Sequence, residues 1–395
     1  MMTTSPTYRL EETADIGLAQ KWLSLFRVFM LVGAATLVAG ALLGGDRFWS
    51  GLLLVSVFLV GLGLAGGALI AFEYLSGAGW SVAVRRVPEA MTSFLPWGGL
   101  GVLLVLVLHP SLYPWMSHEH HFAGFKAFWL NRPFFLARAV AYLVIWIGFT
   151  RLLVRNSRQQ DLTGDARCRQ RNVAVSAAFT VLFALTVWLA SVDWLMSLEP
   201  EWFSTIYGVL FFSGLMSSGL ATVVLFGLWL RRLGPWRGVI NEEHLQDLGK
   251  LLLTFCTFWA YIWFSQYMLI WYANIPEETG YYIHRVRGAW GSLTIVNLLL
   301  NWAIPFFVLL PRNNKRNSRI IGQVAVVVLV GRLLDLYLMI VPANREASAL
   351  PDAWVVGLTL GLIGVAGTVF WRAMKQAAVV PVRDPLLGES LHYHQ

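Results

Sequence analysis

Charge is scarce in this chain: of 395 residues only 13% are Asp, Glu, Lys or Arg, while 57% are hydrophobic. A water-soluble domain carries about a quarter charged residues, so the shortage excludes an ordinary globular fold and points to a polytopic membrane protein. Cysteine is almost absent. Cys168 falls in a basic stretch read as a loop and Cys256 inside an apolar run, settings too different for a disulfide or a metal site, and the pair cannot ligate an iron–sulfur cluster within one chain. Histidine is short as well. A membrane b-type haem takes two axial ligands at buried depth, yet His118, His120, His121 and His284 fall in outer loops, His244 in an inner loop, His392 and His394 in the tail, and His109 at the outer end of a helix. Electrons are therefore not expected to cross through this polypeptide, and it is expected to bind no metal or cofactor of its own. Residues 1–21 carry Glu11, Glu12 and Asp15 in place of a basic leader and a small-residue cleavage signal, so the first apolar run is expected to stay as a helix.

What is abundant is apolar sequence in lengths that suit a bilayer. Ten runs reach the roughly 20 residues with which a helix crosses the hydrocarbon core: 22–44, 50–74, 91–113, 133–154, 173–198, 203–230, 247–273, 287–310, 318–341 and 353–372. The chain divides accordingly into a segment 1–21, an all-α membrane domain 22–372 and a tail 373–395. A net charge of +8 can signal a nucleic-acid partner, but here the basic residues lie in short loops. With the N-terminus inside, twenty Lys and Arg fall in inner segments against six (Arg47, Lys126, Arg132, Arg285, Arg287, Arg345) in outer loops. That bias places both termini in the cytoplasm. Tryptophans near run ends, such as Trp22, Trp49 and Trp271, read as interfacial anchors. Pro96 with Gly98 and Gly99, and Pro305, predict kinks in the third and eighth helices. Gly63, Gly66 and Gly67, and Ser217, Ser218 and Gly219, predict close helix packing in the second and sixth.

A weak internal repeat sets the topology. Asp193 precedes Pro200 by seven residues in the fifth run, and Asp335 precedes Pro342 by seven in the ninth. Four helices separate the two, an even number that preserves direction, so the repeat predicts two parallel four-helix bundles: helices 2–5 (about 50–198) and 6–9 (about 203–341). The first and tenth helices are left peripheral.

Ionisable residues inside the runs are few: Glu73, Arg138, Asp193, Lys250, Arg332 and Asp335, with Arg27 near enough to an end to snorkel. An acid at the bilayer centre costs about 2.5–3.5 kcal/mol on insertion scales, so each is expected to be paired or to handle protons. Arg138, five residues past Pro133, matches the depth of Asp193, and Arg332 and Asp335 meet at i,i+3 on one face. Two readings stand, structural salt bridges and a proton- or quinol-linked role. Glu73 and Lys250, near the inner ends of the second and seventh helices, either form the mouth of an inner proton half-channel or snorkel to the surface. The His118, His120 and His121 cluster fits no tight metal motif and reads as a solvated or partner-contacting loop. His109 can accept a quinol proton or simply sit at the interface.

Two segments carry a resemblance. The first, Ser191-Val-Asp-Trp-Leu-Met-Ser-Leu-Glu-Pro-Glu-Trp-Phe-Ser-Thr-Ile-Tyr-Gly208, and the second, Trp259-Ala-Tyr-Ile-Trp-Phe-Ser-Gln-Tyr-Met-Leu-Ile-Trp-Tyr-Ala-Asn-Ile-Pro-Glu-Glu278, resemble the second large membrane subunit of bacterial alternative complex III, of the polysulfide-reductase (NrfD-like) family. Ten helices in matching order extend the likeness over nearly the whole chain. The resemblance implies a subunit of a quinol-oxidising complex that delivers electrons to cytochrome c or another carrier in a respiratory or photosynthetic chain. It implies residence in the bacterial cytoplasmic membrane among lipid, with menaquinol or ubiquinol in the complex. The expected partners are iron–sulfur and multihaem cytochrome c subunits, which hold the clusters and haem c, and a related ten-helix subunit that binds quinol. The first bundle offers no buried histidine, which puts a quinol site on this chain in doubt. A proton path or a structural part is the expectation, with Tyr261, Ser265, Gln266 and Tyr267 as polar lining beside the charged residues.

Overall fold

The computed structural model describes residues 16–116, 122–234, 236, 238–344 and 348–394. His118, His120 and His121 lie outside the described residues, as do Glu11, Glu12, Asp15, Arg237 and Arg345. Among the described residues there is no strand, and ten helices are long and apolar enough to cross a membrane: α1 (Gln20–Leu43), α2 (Gly45–Ser76), α3 (Val82–Leu108), α4 (Arg132–Thr163), α5 (Ala166–Leu198), α6 (Tyr207–Leu233), α7 (Glu242–Ala273), α8 (Gly288–Leu309), α9 (Ser318–Ala343) and α10 (Ala353–Met374). The chain is an all-α, multi-pass membrane protein.

The helices form two rings of four. In the first, α2 packs on α3, α3 on α4, α4 on α5, and α5 returns to α2; in the second, α6, α7, α8 and α9 repeat the order and α9 closes on α6. The rings join where α2 meets α6 and α9, and where α5 meets α6. Helices α2 and α6 stand at this junction and are the most enclosed of the ten. Their small residues explain the fit, since a Cβ on Gly219 of α6 would come within 2.1 Å of the Ala65 Cβ on α2. Outside the rings α1 and α10 pair with each other, backbone to backbone, and a Cβ on Gly33 would lie 2.4 Å from Gly361 Cα.

Departures from the expected boundaries have local causes. The third helix spans 82–108 rather than 91–113, and begins as a 3-10 turn, Val82–Val84, followed by a short helix, Arg86–Met91, and a second 3-10 turn, Thr92–Phe94, before Leu95–Leu108. Pro96 has no N–H to give the Thr92 carbonyl four residues back, so the bend falls there. In α8 Pro305 follows a π-helical segment, Leu299–Ala303, where the ladder again loses a donor.

The basic stretch 155–172, expected as loop, is helical almost throughout, because α4 runs on to Thr163 and α5 starts at Ala166. Arg and Gln are good helix formers, whereas hydropathy alone stops where polar residues begin. Gly164 (φ 71°) ends α4 in the left-handed region, and the Asp165 carboxylate accepts from Arg167 N–H to start α5. Cys168 is consequently on a helix and buried. His244 is likewise not in a loop but in the capping box of α7 with Asn241, and His284 belongs to a short helix, Pro276–Val286.

Residues 376–394 return across one side of the molecule, here the tail side. The Val379 carbonyl accepts from Trp236 Nε1 (3.0 Å), Asp384 pairs with Arg85 (2.7 Å), Ser390 Oγ donates to the Trp80 carbonyl (2.6 Å), and Tyr393 OH donates to Asp247 (2.7 Å). Arg85 and Trp80 belong to the first ring's end and Asp247 to the second, so the tail clasps both.

Candidate functional site: two buried aspartates

Both aspartates lie near the far side, opposite the tail: Asp193 is one residue before the α-helical part of α5 ends at Trp194, and Asp335 five residues before that of α9 ends at Ile340. Asp193 on α5 is held by four donors. Arg138 on α4 gives Nε to Oδ2 and Nη2 to Oδ1, both at 2.9 Å; Tyr142 OH reaches Oδ2 and Trp129 Nε1 reaches Oδ1, also at 2.9 Å. Trp129 comes from a short helix on the far side, Gly124–Trp129, and its carbonyl takes Arg138 Nη1 (3.0 Å) while its ring lies 4.0 Å from the guanidinium. A carboxylate has about four lone-pair directions, and here all are used. Arg138 and Asp193, matched only by depth in the sequence, form a closed bidentate pair.

Asp335 on α9 is arranged otherwise. Its Oδ2 accepts from Arg332 Nη1 and from Trp259 Nε1 of α7 (3.2 Å), and its Oδ1 from Asn297 Nδ2 of α8 (3.2 Å). The π-helical turn of α8 places Asn301 one turn on, where its amide donates to Asn297 Oδ1 (2.7 Å) and so orients the Asn297 side chain. The guanidinium sits on the aspartate's own helix instead of crossing from a neighbour. Space remains.

That space is a cavity of about 30 Å³ bordered by Asp335, Asn297, Thr294, Gln266 and Arg285, more than the 10–15 Å³ that about one water requires. Gln266 on α7 is 2% exposed, and neither its amide oxygen nor its nitrogen has a hydrogen-bond partner. It also borders a second cavity of about 420 Å³ lined by Ser204, Thr205 and Glu278 on the far side. On the other flank Arg285 donates to the Leu338 carbonyl (2.8 Å), the Tyr281 carbonyl (3.0 Å) and Glu199 Oε1 (2.5 Å). Glu199 and Tyr281 in turn line a far-side groove of about 590 Å³ with Glu201, Glu277 and His284. Burial pushes the Tyr281 phenol up to about 12, so it stays a neutral hydroxyl near pH 7.

The remaining expected residues divide. Tyr261 is 65% exposed; it lies five residues, about 140° of turn, from Gln266, and faces out of the bundle, so it does not line an interior route. Ser265 and Tyr267 are half-buried, Tyr267 stacking on Trp263 at 5.9 Å. Glu73 is enclosed on the tail side by Arg85 (2.6 Å), whereas the Lys250 side chain, 47% exposed, pairs with Asp247 (2.9 Å). The two belong to separate clusters and form no common mouth. His109 stacks on Trp49 and bonds Asp46 (2.6 Å) at the rim of α2 and α3.

Sequence reasoning missed Trp129, Tyr142, Trp259, Asn297, Asn301, Arg285 and Glu199 as site residues. Asn297 and Asn301, two amides at i,i+4 in an otherwise apolar run, were the available signal. Among the described residues no group of three His, Cys, Asp or Glu side chains is set to hold a metal ion. No protein-family model matches the chain, and no curated protein matches it. Asp193, Glu199, Trp259 and Gln266, from the two segments quoted above, all stand at these two sites.

Proposed function

We propose that this chain is the membrane subunit, without haem or iron–sulfur of its own, of a quinol-oxidising electron-transfer complex of the alternative complex III kind, in a bacterial cytoplasmic membrane with both termini inside. Within it Asp335 accepts and releases the protons linked to quinol oxidation. The observation that carries this reading is the hydrated-size cavity shared by Asp335 and the unpartnered Gln266. An acid that must change protonation needs a neighbour able to reorient and a water to pass the proton, and Asp335 has room for both. Glu199, Arg285 and the Gln266 amide offer it polar exits toward the far side. Haem c, iron–sulfur clusters and the quinol site belong to the partner subunits.

Asp193 supports a second, structural role. With four donors in place, protonating its carboxylate would displace at least one of them, whereas Asp335 has three donors and a cavity beside it; the buried arginine left without its counter-charge, Arg138 or Arg332, is common to both. The two acids are thus assigned differently, proton transfer to Asp335 and clamping of the first ring to Asp193. Turnover and proton-to-electron ratio of the assembled complex, measured together with its yield, test the assignment. Asp335→Asn lowers turnover or the ratio per assembled complex, even where stranding Arg332 also lowers yield, and Gln266→Leu, which removes the amide, acts in the same direction; Asp193→Asn lowers yield while what assembles works normally. Unchanged turnover and ratio in Asp335→Asn would sink the proton reading and leave the chain a scaffold for its partners.

A further inference from the structure

On the tail side, away from both aspartates, α3, α4 and α10 enclose a groove of about 900 Å³. Arg151, Arg155 and Arg158 line it at i, i+4 and i+7 along one face of α4, and Arg372 faces them from α10. Arg158 is fastened, donating to Gln376 Oε1 (2.7 Å) and the Ala373 carbonyl (3.4 Å), yet its Nε is buried with no acceptor. Arg151, Arg155 and Arg372 have no hydrogen-bond or ion-pair partner among the described residues. The one carboxylate in the wall is Glu89, 2% exposed; Arg86 takes its Oε2, and its Oε1 is buried with no donor. Arg86 also pairs with Asp161, so five arginines in this corner face two acids. Deeper along the same groove the wall turns apolar with Pro96, Trp97, Ile147 and Val369.

We infer that this groove binds an anionic phospholipid, its phosphodiester among Arg151, Arg155, Arg158 and Arg372 and its acyl chains along the apolar wall. Basic recesses between membrane helices suit such head groups, and guanidinium forks match phosphate oxygens in pairs. Along α4 the arginines cover about 10 Å, the reach of one head group with its glycerol. The free Glu89 Oε1 adds a discriminating contact. It would accept from a glycerol hydroxyl, which favours phosphatidylglycerol or cardiolipin over a bare phosphate.

The test is native mass spectrometry of the full chain, released from nanodiscs containing equal parts of phosphatidylglycerol and phosphatidylcholine. Retained lipid in the wild type is expected to favour phosphatidylglycerol by about tenfold, the equivalent of one tenfold step in affinity. Arg151→Gln/Arg155→Gln/Arg372→Gln is expected to abolish that preference. Arg167→Gln/Arg171→Gln, exposed on the same side but outside the groove, is expected to preserve it. Circular dichroism confirms that each variant is folded, and Arg372→Gln alone, with a partial loss, serves if the triple variant is not. Equal retention of the two lipids, an equal loss in the control variant, or displacement of the lipid by millimolar inorganic phosphate would each overturn the proposal, the last by marking a plain anion site.

Discussion

At the scale of single residues, the difference between the two aspartates is one of saturation. Asp193 accepts four hydrogen bonds at 2.9 Å, and losing the charge strands Arg138, which is 8% exposed. Removing one partner of a buried ion pair costs about 3–5 kcal/mol, whereas replacing both by apolar side chains of similar size is often neutral. Asp193→Asn is therefore expected to lower the thermal unfolding midpoint markedly, and Asp193→Leu/Arg138→Met to recover most of the loss. A double variant no better than the single would mean that the pair contributes more than mutual neutralisation. The depth of Arg138 and Asp193 and the i,i+3 spacing of Arg332 and Asp335 were open to reading in the sequence because helical geometry converts position into height and face. Trp129 and Trp259 were not, since they reach their aspartates across 64 and 76 residues and nothing local in a sequence marks so distant a meeting, while Asn297, 38 residues from Asp335, was marked only by its i,i+4 spacing from Asn301.

Helices as elements were legible for a related reason. Spans of twenty or more apolar residues have one stable form in lipid, where every backbone donor must be satisfied within its own segment. What hydropathy could not give was where polar helix continues into water, as α4 and α5 do around Gly164, or how a proline is absorbed, as in the π-helical turn ahead of Pro305. The α1–α10 pair depends on glycine rather than on bulk. A side chain at position 361 meets the Gly33 backbone, where a Cβ would lie 2.7 Å from Gly33 Cα, and neither backbone can yield without parting the helices. Gly361→Leu is expected to destabilise this pair by about 1–3 kcal/mol, the usual range for overpacking, and limited proteolysis of the purified protein would then release α1 or α10 ahead of the two rings. Cleavage at the wild-type rate would indicate that the pair opens by itself.

Across the whole molecule, the two rings meet through α2 and α6 inside the membrane and through the returning tail outside it. Arg85, 1% exposed, is shared between Glu73 of α2 and Asp384 of the tail, with Tyr74 OH as a third contact. Hydrogen bonds to a charged group contribute about 1.5–3 kcal/mol. Asp384→Asn is accordingly expected to lower stability by an amount in that range and to speed proteolysis of the tail, both measured on the detergent-solubilised protein. No change would mean that Glu73 alone satisfies Arg85. The parallel repeat itself was visible in the matched acid-to-proline spacings, while the tail's part was not, because its apolar pair Val379 and Val380 and its two acids, Asp384 and Glu389, resemble any short extramembrane segment.

Asp384, Ser390 and Tyr393 follow all ten helices in the chain and are synthesised after them. The clasp they form can therefore close only once the ribosome has passed them, and until then the two halves are joined by membrane contacts alone. A product that stopped short of position 384 would hold every helix and still lack the fastening by which Arg85 and Asp247 are tied to one strand of chain, leaving exposed to cellular surveillance the very surface that marks a finished molecule.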